Sequence, residues 1–407
     1  MKGNVLLLGY GMQGKAALYD LLRSEDVNSV TVVDSNPNLK KELQSYDNAK
    51  IKALTLNFDS EKEIILNIMK DSDVVIDLLP YKFTFSALKM SAEAGVNHVS
   101  AMYFHDPGEA DPLRIKQREM ALRALNDMAV RKGIVLISEF GMDPGLDIIV
   151  GKKVLEEFDE VYEFNSYGAG FPELSAAGNS IKYKFTWSVA GVMSSYLRPA
   201  TVIRDGNVME IPAHEMFAEE NMHLLKLDEL EGCLECFPNG NAAHYAELMG
   251  IKSTVKNMGR YICRWQGHGS FWEVMAKSGF LNREPIEVNG NKIVPLEFCA
   301  ALFGSQKQFY YSEHERDVAL IRMDVKGIKD GKEKRVIYQI IDYRDLDTGF
   351  TAMARTTGFT AAIGANLVLT GKVNKKGIAT PLDVQFDIIK DEISKRGIRI
   401  NIHREYK

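Results

Sequence analysis

The chain has 407 residues, of which 45% are hydrophobic and 26% are charged, and its formal net charge is -5. This composition is typical of a globular protein with two or three domains, and the charge gives no reason to expect a nucleic acid or a membrane surface as partner. The N-terminal MKGNVLLLGYGM reaches its glycines too early for a signal peptide, and the apolar stretch TTGFTAAIGANLVLTG is too short to span a bilayer. We therefore expect a soluble protein.

Four cysteines in a chain of this length are too few for a disulfide framework and favour a reducing, cytoplasmic compartment. Cys233 and Cys236 form a Cys-x-x-Cys pair, but no second pair of cysteines or histidines follows at zinc-site spacing. We expect no metal site and interpret these thiols as buried and unreactive.

The first 150 residues alternate between short apolar runs and longer segments with helical spacing. The runs are NVLLL (4–8), SVTVVD (29–34), ALTLN (53–57), DVVIDLL (73–79), HVSAMYF (98–104) and IVLISEF (134–140). This alternation predicts an α/β fold of the Rossmann type, with a doubly wound parallel sheet.

Beyond residue 150 the pattern changes to long alternating strands joined by Asp-Gly turns at Asp205-Gly206 and Asp330-Gly331. Helical segments recur between them, so we predict a second α+β domain with a mixed or antiparallel sheet. The predicted boundaries place residues 1–140 in the first domain and residues 141–351 in the second, and the C-terminal helices of residues 352–407 are expected to pack back on the first domain.

The sequence GYGMQG follows the first apolar run and matches G-x-G-x-x-G with Gly9, Gly11 and Gly14. In this motif the first glycine makes the tight turn, the second lets the backbone approach a pyrophosphate, and the third allows close packing of helix on strand. The helix that is predicted to start near Lys15 directs its N-terminal amides toward the phosphates, and Met12 and Gln13 of the loop are expected to bind the cofactor. The motif occurs by chance in other loops, but a strand before it and a helix after it favour dinucleotide binding.

The second apolar run ends in Asp34, twenty residues after Gly14. A carboxylate at this place accepts hydrogen bonds from the adenosine ribose hydroxyls and repels a 2′-phosphate. We therefore expect NAD rather than NADP as the cofactor.

Ligands of doubly wound sheets bind at the carboxyl ends of the strands, where the strand order reverses. The segments after the fourth and fifth runs are thus expected to line the nicotinamide end, with Leu79, Pro80 and Ala101 next to the cofactor and Met102 next to the substrate. The stretch SEFGMDPGLD, residues 138–147, leaves the sixth run toward the same edge.

Hydride transfer to a nicotinamide usually requires a group that takes or gives a proton. Asp143 fits this role, although an aspartate before a proline at a helix start is equally typical of an N-cap. Tyr103 and His105 are further candidates for this role. Without a catalytic role, Tyr103 would be an ordinary core aromatic and His105 a surface histidine. Asp147, one turn into the helix, is interpreted as a carboxylate that complements the helix dipole.

Several longer motifs are more specific than the glycine loop. They are DLLPYKF, EFGMDPGLDIIVGKKVLEE, NSYGAGFPE, SIKYKFTWSVAGV, LECFPNGNAAHYAELMGI and MARTTGFTAAIGANLVLTGKVNKKG. With these motifs the chain resembles, over nearly its whole length, the saccharopine dehydrogenase family, in particular its glutamate-forming members. Lysine 6-dehydrogenase and carboxynorspermidine dehydrogenase are relatives in that family.

The resemblance implies a Rossmann domain followed by a domain for substrate binding and dimerisation, hence a homodimer. It also implies that Tyr103 and Asp143 contact the substrate as candidates for proton transfer, and that Trp187, Ser188 and Asn239 line the substrate side. The implied reaction is the NAD-dependent oxidation of a C–N bond in a lysine-derived amino acid, with saccharopine as the leading substrate. Lysine or a carboxylated polyamine is the alternative.

Two departures from the family pattern leave the substrate open. Gly240 stands where the family has a carboxylate-binding arginine after Pro-Asn, and Gly168 replaces a family cysteine. Loss of a bidentate carboxylate partner weakens recognition of a dicarboxylate. These departures also keep open a hypothesis of another class, a dinucleotide sensor without catalysis.

Overall fold

The computed structural model describes residues 2–44, 46, 48–105, 109 and 111–406. The chain forms two compact units, one of Met1–Ile149 with Ala354–Ile398 and one of Val150–Met353 with Arg399–Lys407. The sequence pattern placed divisions after residues 140 and 351 only. The additional division follows residue 398, because Asn401–Tyr406 forms a strand of the second unit's sheet.

The strands differ in length between the two units, and the longest belong to the second. In chain order they are β1 Gly3–Leu8, β2 Val27–Asp34, β3 Ile51–Thr55, β4 Val74–Asp77, β5 Asn97–Ser100, β6 Val135–Ile137, β7 Glu160–Pro172, β8 Ala200–Arg204, β9 Asn207–Ile211, β10 His223–Leu225, β11 Leu234–Pro238, β12 Asn257–Trp265, β13 Ile286–Val288, β14 Asn291–Ile293, β15 Asp317–Lys329, β16 Lys332–Tyr343, β17 Gly377–Ala379 and β18 Asn401–Tyr406.

The helices alternate with the strands in the first unit and are interspersed among them in the second. They are α1 Met12–Arg23, α2 Leu39–Gln44, α3 Lys62–Lys70, α4 Tyr81–Ala94, α5 Pro112–Lys132, α6 Leu146–Leu155, α7 Val189–Ser195, α8 Ala242–Leu248, α9 His268–Lys277, α10 Pro295–Gly304, α11 Ala352–Ala354, α12 Thr360–Leu369 and α13 Phe386–Lys395. A π-helical turn, Arg355–Phe359, joins α11 to α12. Within the described ranges, no helix is both long and apolar enough to cross a membrane.

The first unit contains a seven-stranded sheet in the order β17-β6-β5-β4-β1-β2-β3. The pairings along it are parallel, and the strand order reverses between β1 and β4. Its central strands are continuous apolar runs because both faces are buried, as in Leu6–Leu8 and Val74–Ile76. The predicted doubly wound sheet is confirmed.

The second unit contains a mixed sheet whose main path is β10-β11-β12-β7-β15-β16-β18. Strands β12 and β7 are parallel, and the other pairs of this path are antiparallel. Both predicted Asp-Gly turns are present, and Asp205 and Asp330 have positive φ values of 49° and 52°. The predicted mixed sheet is therefore confirmed.

A cluster of aromatic side chains fills the core on one side of the second unit. Tyr183, Phe185, Tyr196 and Trp272 are at most 1% exposed. Tyr183 and Phe185 belong to the signature SIKYKFTWS, so this part of the motif stabilises the fold. Half-buried Trp187 packs on the edge of the same cluster.

Candidate functional site

The glycine loop joins β1 to α1 and shows a separate reason for each glycine. Gly9 has φ +93°, and a Cβ there would lie 2.7 Å from the carbonyl oxygen of Leu78, so only glycine fits. A Cβ on Gly14 would collide with the carbonyl oxygen of Gly9. At Gly11, in contrast, no atom lies within 4 Å of the Cβ position. The fold leaves open space at Gly11, as the close approach of a pyrophosphate to the backbone requires.

Asp34 ends β2 and connects two turns through its carboxylate. Its Oδ2 atom accepts a hydrogen bond from the backbone N–H of Tyr10 at 2.7 Å, and its Oδ1 atom accepts one from the N–H of Asn36 at 2.8 Å. Each carboxylate oxygen has a second lone pair for a further donor. Nearby, Lys15 forms an ion pair with Glu42 at 2.8 Å. Residues 35–38, SNPN, carry no positive charge.

The reversal of strand order lies between the ends of β1 and β4. Leu8 pairs with Asp77, and the backbone N–H of Leu78 donates to the carbonyl oxygen of Leu8 at 2.9 Å. Leu79 is buried and Pro80 is exposed at the start of α4. The backbone nitrogen of Leu79 lies 3.3 Å from the Cβ position of Gly9, so the structure places Leu79 beside the glycine loop, and Pro80 follows it in the chain.

The loop after β5 carries three of the predicted residues. Strand β5 ends at Ser100, so Tyr103 lies in a loop rather than at the strand end. Ala101 is buried, whereas Met102 and Tyr103 are half-buried. The Tyr103 ring packs edge-on against His105 at 5.3 Å between centroids.

The stretch around Asp143 forms a compact loop after β6. The N–H of Gly141 donates to the carbonyl oxygen of Pro144 at 3.1 Å, and the N–H of Leu146 donates to that of Gly141 at 3.0 Å. Helix α6 begins at Leu146, so the N-cap interpretation of half-buried Asp143 does not fit. Buried Asp147 lies in the first turn, where its Oδ1 accepts from the N–H of Gly145 at 2.7 Å. The Asp143-Pro144 peptide bond is cis.

The loops after β5 and β6 run side by side. The N–H of Glu139 donates to the carbonyl oxygen of Met102 at 3.1 Å. The N–H of Phe140 donates to the carbonyl oxygen of Ser100 at 2.9 Å. The structure therefore brings the loops of Tyr103 and Asp143 together. Glu139 itself is buried and has φ +57°, a conformation that is rare for residues other than glycine. Sequence reasoning missed it, and its only signal is an acidic residue within an apolar run.

The remaining predicted residues belong to the second unit. Exposed Ser188 caps α7, where its Oγ accepts from the N–H of Gly191 at 3.1 Å. Trp187 packs against the same glycine. Half-buried Asn239 follows β11, and its N–H donates to the carbonyl oxygen of Arg260 at 2.8 Å. Ser188 thus has a structural role that does not depend on any substrate.

Gly240 has a guanidinium group close to it. The Arg260 Nη1 atom lies 3.9 Å from the Cβ position of Gly240, and the Arg260 guanidinium carbon lies 3.9 Å from the ring centroid of Tyr245. Other buried cations of this unit have different partners. Lys184 pairs with Glu315 at 2.5 Å, and Arg264 donates to the carbonyl oxygen of Cys263 at 2.9 Å. Arg260 is thus the cation that stands next to the departure from the family pattern.

The cysteines lie in the second unit as thiols. Cys236 and Cys263 are buried opposite each other on β11 and β12, with their sulfur atoms 2.9 Å apart. Burial raises the pKa of the Cys236 thiol, and its hydrogen bond with Cys263 raises it further. A group with this pKa is protonated and unreactive at neutral pH.

Comparison with known proteins extends over almost the entire chain. Residues 5–137 match the model described as saccharopine dehydrogenase NADP binding domain, and residues 141–398 match the saccharopine dehydrogenase C-terminal domain. The "Saccharopine dehydrogenase [NADP(+), L-glutamate-forming]" of Saccharomyces cerevisiae is 23% identical, with 98% of each chain covered. The mitochondrial alpha-aminoadipic semialdehyde synthase of Bos taurus is 25% identical over 98% of this chain.

This chain spans about half the length of the bovine relative, 47% of it. Among solved structures, the apo yeast saccharopine dehydrogenase (L-Glu forming) has a TM-score of 0.81 at 22% identity and covers 99% of this chain and all of its own. A homospermidine synthase from Legionella pneumophila, solved in complex with NAD, has a TM-score of 0.64 at 14% identity and covers 100% and 92% of the two chains. These two structures share the fold. Since the two family models together match residues 5–137 and 141–398, the chain belongs to the saccharopine dehydrogenase family.

Proposed function

We propose that this protein is a pyridine-nucleotide-dependent oxidoreductase that oxidises a C–N bond in a lysine-derived amino acid. The observation that carries the proposal is the glycine loop at the reversal of strand order. There the fold requires glycine at Gly9 and Gly14, and at Gly11 it leaves the open space that the close approach of a pyrophosphate needs. Family membership supplies the reaction class.

The proposed cofactor is NAD. The matching family model and the yeast relative are named for NADP, so the preference rests on residues of this chain. Asp34 would face the 2′ position of the adenosine ribose, where its charge repels a phosphate. The uncharged segment SNPN supplies no cation that would compensate.

The proposed reaction converts saccharopine, NAD and water into glutamate, aminoadipate semialdehyde, NADH and a proton. A bound nicotinamide would accept the hydride from the carbon on the lysine side of the secondary amine nitrogen, the carbon that becomes the aldehyde. Loss of that hydride and of the N–H proton turns the C–N bond of the substrate into C=N. Water then adds to the carbon, the C–N bond breaks, and the nitrogen leaves with glutamate.

Asp143 and Tyr103 are the proposed proton-handling residues. Both are half-buried and lie on adjoining loops at the carboxyl ends of parallel strands, so they face solvent and are partly shielded from it. A carboxylate at position 143 would hold the substrate ammonium or take its proton, and the phenol at position 103 would donate a hydrogen bond.

The choice of saccharopine over lysine depends on how a second carboxylate is held. Gly240 cannot bind it, but the guanidinium of Arg260 stands beside Gly240 and is packed on Tyr245, which limits its rotamers. We assign Arg260 the role of carboxylate partner. We further propose that Asn239 and Trp187 contact the substrate. Should Arg260 not serve this purpose, lysine or a carboxylated polyamine becomes the better substrate.

The test is NADH or NADPH formation by purified protein with saccharopine, lysine and a carboxylated polyamine as separate substrates. The proposal predicts turnover with saccharopine and NAD. Turnover with lysine and none with saccharopine would overturn the substrate assignment. Dinucleotide binding without turnover of any of the three would favour a sensor.

A further inference from the structure

A cluster of fully buried polar side chains lies directly behind the glycine loop, and the proposed mechanism does not use it. Asp77, His98, Ser91 and Ser100 each have no exposed surface. Asp77 ends β4 at the reversal of strand order, and Ser100 pairs with it at the end of β5. Burying a carboxylate is costly compared with burying an apolar side chain of similar volume.

The carboxylate of Asp77 reaches the two loops that leave β4 and β5. Its Oδ1 accepts from the backbone N–H of Leu79 at 3.0 Å, and its Oδ2 accepts from the hydroxyl of Ser100 at 3.3 Å. The same hydroxyl accepts from the backbone N–H of Met102 at 3.1 Å. The carboxylate therefore bonds the first loop directly at Leu79 and is connected through Ser100 to Met102 in the second loop, where Tyr103 is the next residue.

His98 lies next to Asp77, and burial shifts the pKa of each side chain toward its neutral form. His98 Nε2 lies 3.9 Å from Asp77 Oδ2, and His98 Nδ1 lies 2.9 Å from the hydroxyl of Ser91. Burial raises the pKa of Asp77 to about 6, although hydrogen bonds from Leu79 and Ser100 oppose the shift. Burial lowers the pKa of His98 to about 3. Leu8, which pairs with Asp77 from β1, is apolar.

We propose that Asp77 is a positioning residue that sets the spacing between the Leu79 loop and the Met102–Tyr103 loop. It thereby fixes the geometry at the nicotinamide end of the cofactor site without touching cofactor or substrate. The catalytic consequence rests on the proposed function, whereas the coupling of the two loops does not. Ser100 transmits the constraint to the second loop, and Ser91 has no part in it.

The first test measures hydrogen exchange of the backbone amides of Leu79 and Met102 in the protein without ligand. Asp77→Ala, which has no side-chain acceptor, should raise exchange at both positions by about tenfold for the loss of one anchoring hydrogen bond, whereas Asp77→Asn keeps one acceptor oxygen for Leu79 and should raise exchange at Met102. Ser100→Ala should raise it at Met102 alone. Ser91→Ala is the matched control, because it removes a hydroxyl from the same buried cluster and touches neither loop. Equal exchange in Asp77→Ala and wild type at both amides would overturn the proposal.

The second test measures steady-state kinetics and the Kd for NADH in the same variants. Asp77→Asn and Ser100→Ala should each lower kcat by at least about tenfold while the Kd changes little, since the adenosine half contacts other residues. The double variant should be no worse than Asp77→Asn, because both act through one connection. Where Asp77→Asn fails to fold, Asp77→Ser retains an acceptor for Leu79 and should affect only Met102.

The two proposals fail in different ways. A wild-type protein that neither binds NADH nor turns over substrate defeats the proposed function, while the exchange pattern still decides the coupling. An active wild type whose Asp77→Asn variant loses stability but keeps its kcat shows that Asp77 is merely structural. That result would overturn the positioning role.

Discussion

The carboxylate of Asp34 is bonded to the backbone N–H of Tyr10, with 2.7 Å between Oδ2 and the nitrogen. The end of β2 is thus connected to the glycine loop after β1. A residue expected to recognise the ribose therefore also orders the loop expected to bind the pyrophosphate. Substitutions at position 34 must separate these two effects.

Replacing Asp34 by Asn tests the cofactor preference. The amide oxygen keeps one backbone acceptor in place, but the charge that would repel a 2′-phosphate is gone. We expect the ratio of kcat/KM for NAD over NADP to fall by at least about tenfold, which corresponds to the loss of one charged hydrogen bond. The ratio is measured with both cofactors at saturating substrate. An unchanged ratio would contradict the role of Asp34 in choosing NAD.

Alanine at Gly11 should weaken cofactor binding, whereas alanine at Gly14 should lower stability. At Gly11 a methyl group meets no protein atom within 4 Å, so the fold tolerates it, but it occupies the space for the pyrophosphate. We expect Gly11→Ala to weaken NADH binding by at least about tenfold without lowering Tm. Gly14→Ala should lower Tm, because the methyl group collides with the carbonyl oxygen of Gly9. Normal NADH binding by Gly11→Ala would argue against a dinucleotide at this loop.

Asp143 and Asp147 form a matched pair of carboxylates in one stretch of chain. Asp143→Asn should lower kcat by about a hundredfold or more with little change in Tm, as expected for the loss of a proton-handling group. Asp147→Ala should lower Tm and leave kcat within about twofold, because it removes the oxygen that accepts the hydrogen bond from the N–H of Gly145 in the loop closure. Kinetics and calorimetry on both variants check this. A full kcat in Asp143→Asn would remove Asp143 from the mechanism.

Arg260 should distinguish substrates with one carboxylate from those with two. Arg260→Lys keeps the charge but loses the bidentate geometry, so we expect KM for saccharopine to rise by about tenfold or more. Any KM for lysine should change less, since lysine offers no second carboxylate. Equal effects on both substrates would indicate that Arg260 only stabilises the fold.

Glu157 should make the second unit sensitive to acid. Its carboxylate accepts hydrogen bonds from Arg404 on β18 and from Lys334 and Tyr338 on β16. These hydrogen bonds lower the pKa of Glu157 to about 2, although burial opposes the shift. Since the pKa is lower in the folded state, the stabilisation is present above about pH 4.5 and is lost as the pH falls toward about 2. Glu157→Gln should therefore lower the free energy of unfolding at neutral pH by about 1–3 kcal/mol and flatten its dependence on pH below 4.5.

Tryptophan fluorescence follows this transition, because the chain's three tryptophans, Trp187, Trp265 and Trp272, belong to the second unit. Asp159→Asn serves as the control, since Asp159 pairs with Lys329 at the surface and solvent screens that pair. A Glu157→Gln variant as stable as wild type at neutral pH would contradict the role of the Glu157 network.

Local patterns predicted the parts of the fold that depend on local chemistry. The alternation of apolar runs predicted the parallel sheet, and the Asp-Gly dipeptides at 205–206 and 330–331 predicted the hairpins, because positive φ values favour these residues there. The glycine spacing at residues 9–14 predicted the tight turn and the close packing of α1 on β1.

Features that depend on distant pairing could not be read in this way. Nothing in NIHREY shows that residues 401–406 pair with β16 rather than fold with the first unit. Asp77 and His98 each interrupt an apolar run, but their proximity follows from the order of β4 and β5. Likewise, the start of α6 at Leu146 separated Asp143 from the cap position only once the loop geometry was known.

The most direct test of the account is product analysis of saccharopine incubated with the purified protein and NAD. We predict that glutamate, aminoadipate semialdehyde and NADH appear in equal amounts, and that NADP supports a slower reaction. Two results would contradict the account. In the first, saccharopine gives no glutamate but lysine gives NADH. In the second, saccharopine gives no glutamate and no lysine-derived amine gives NADH.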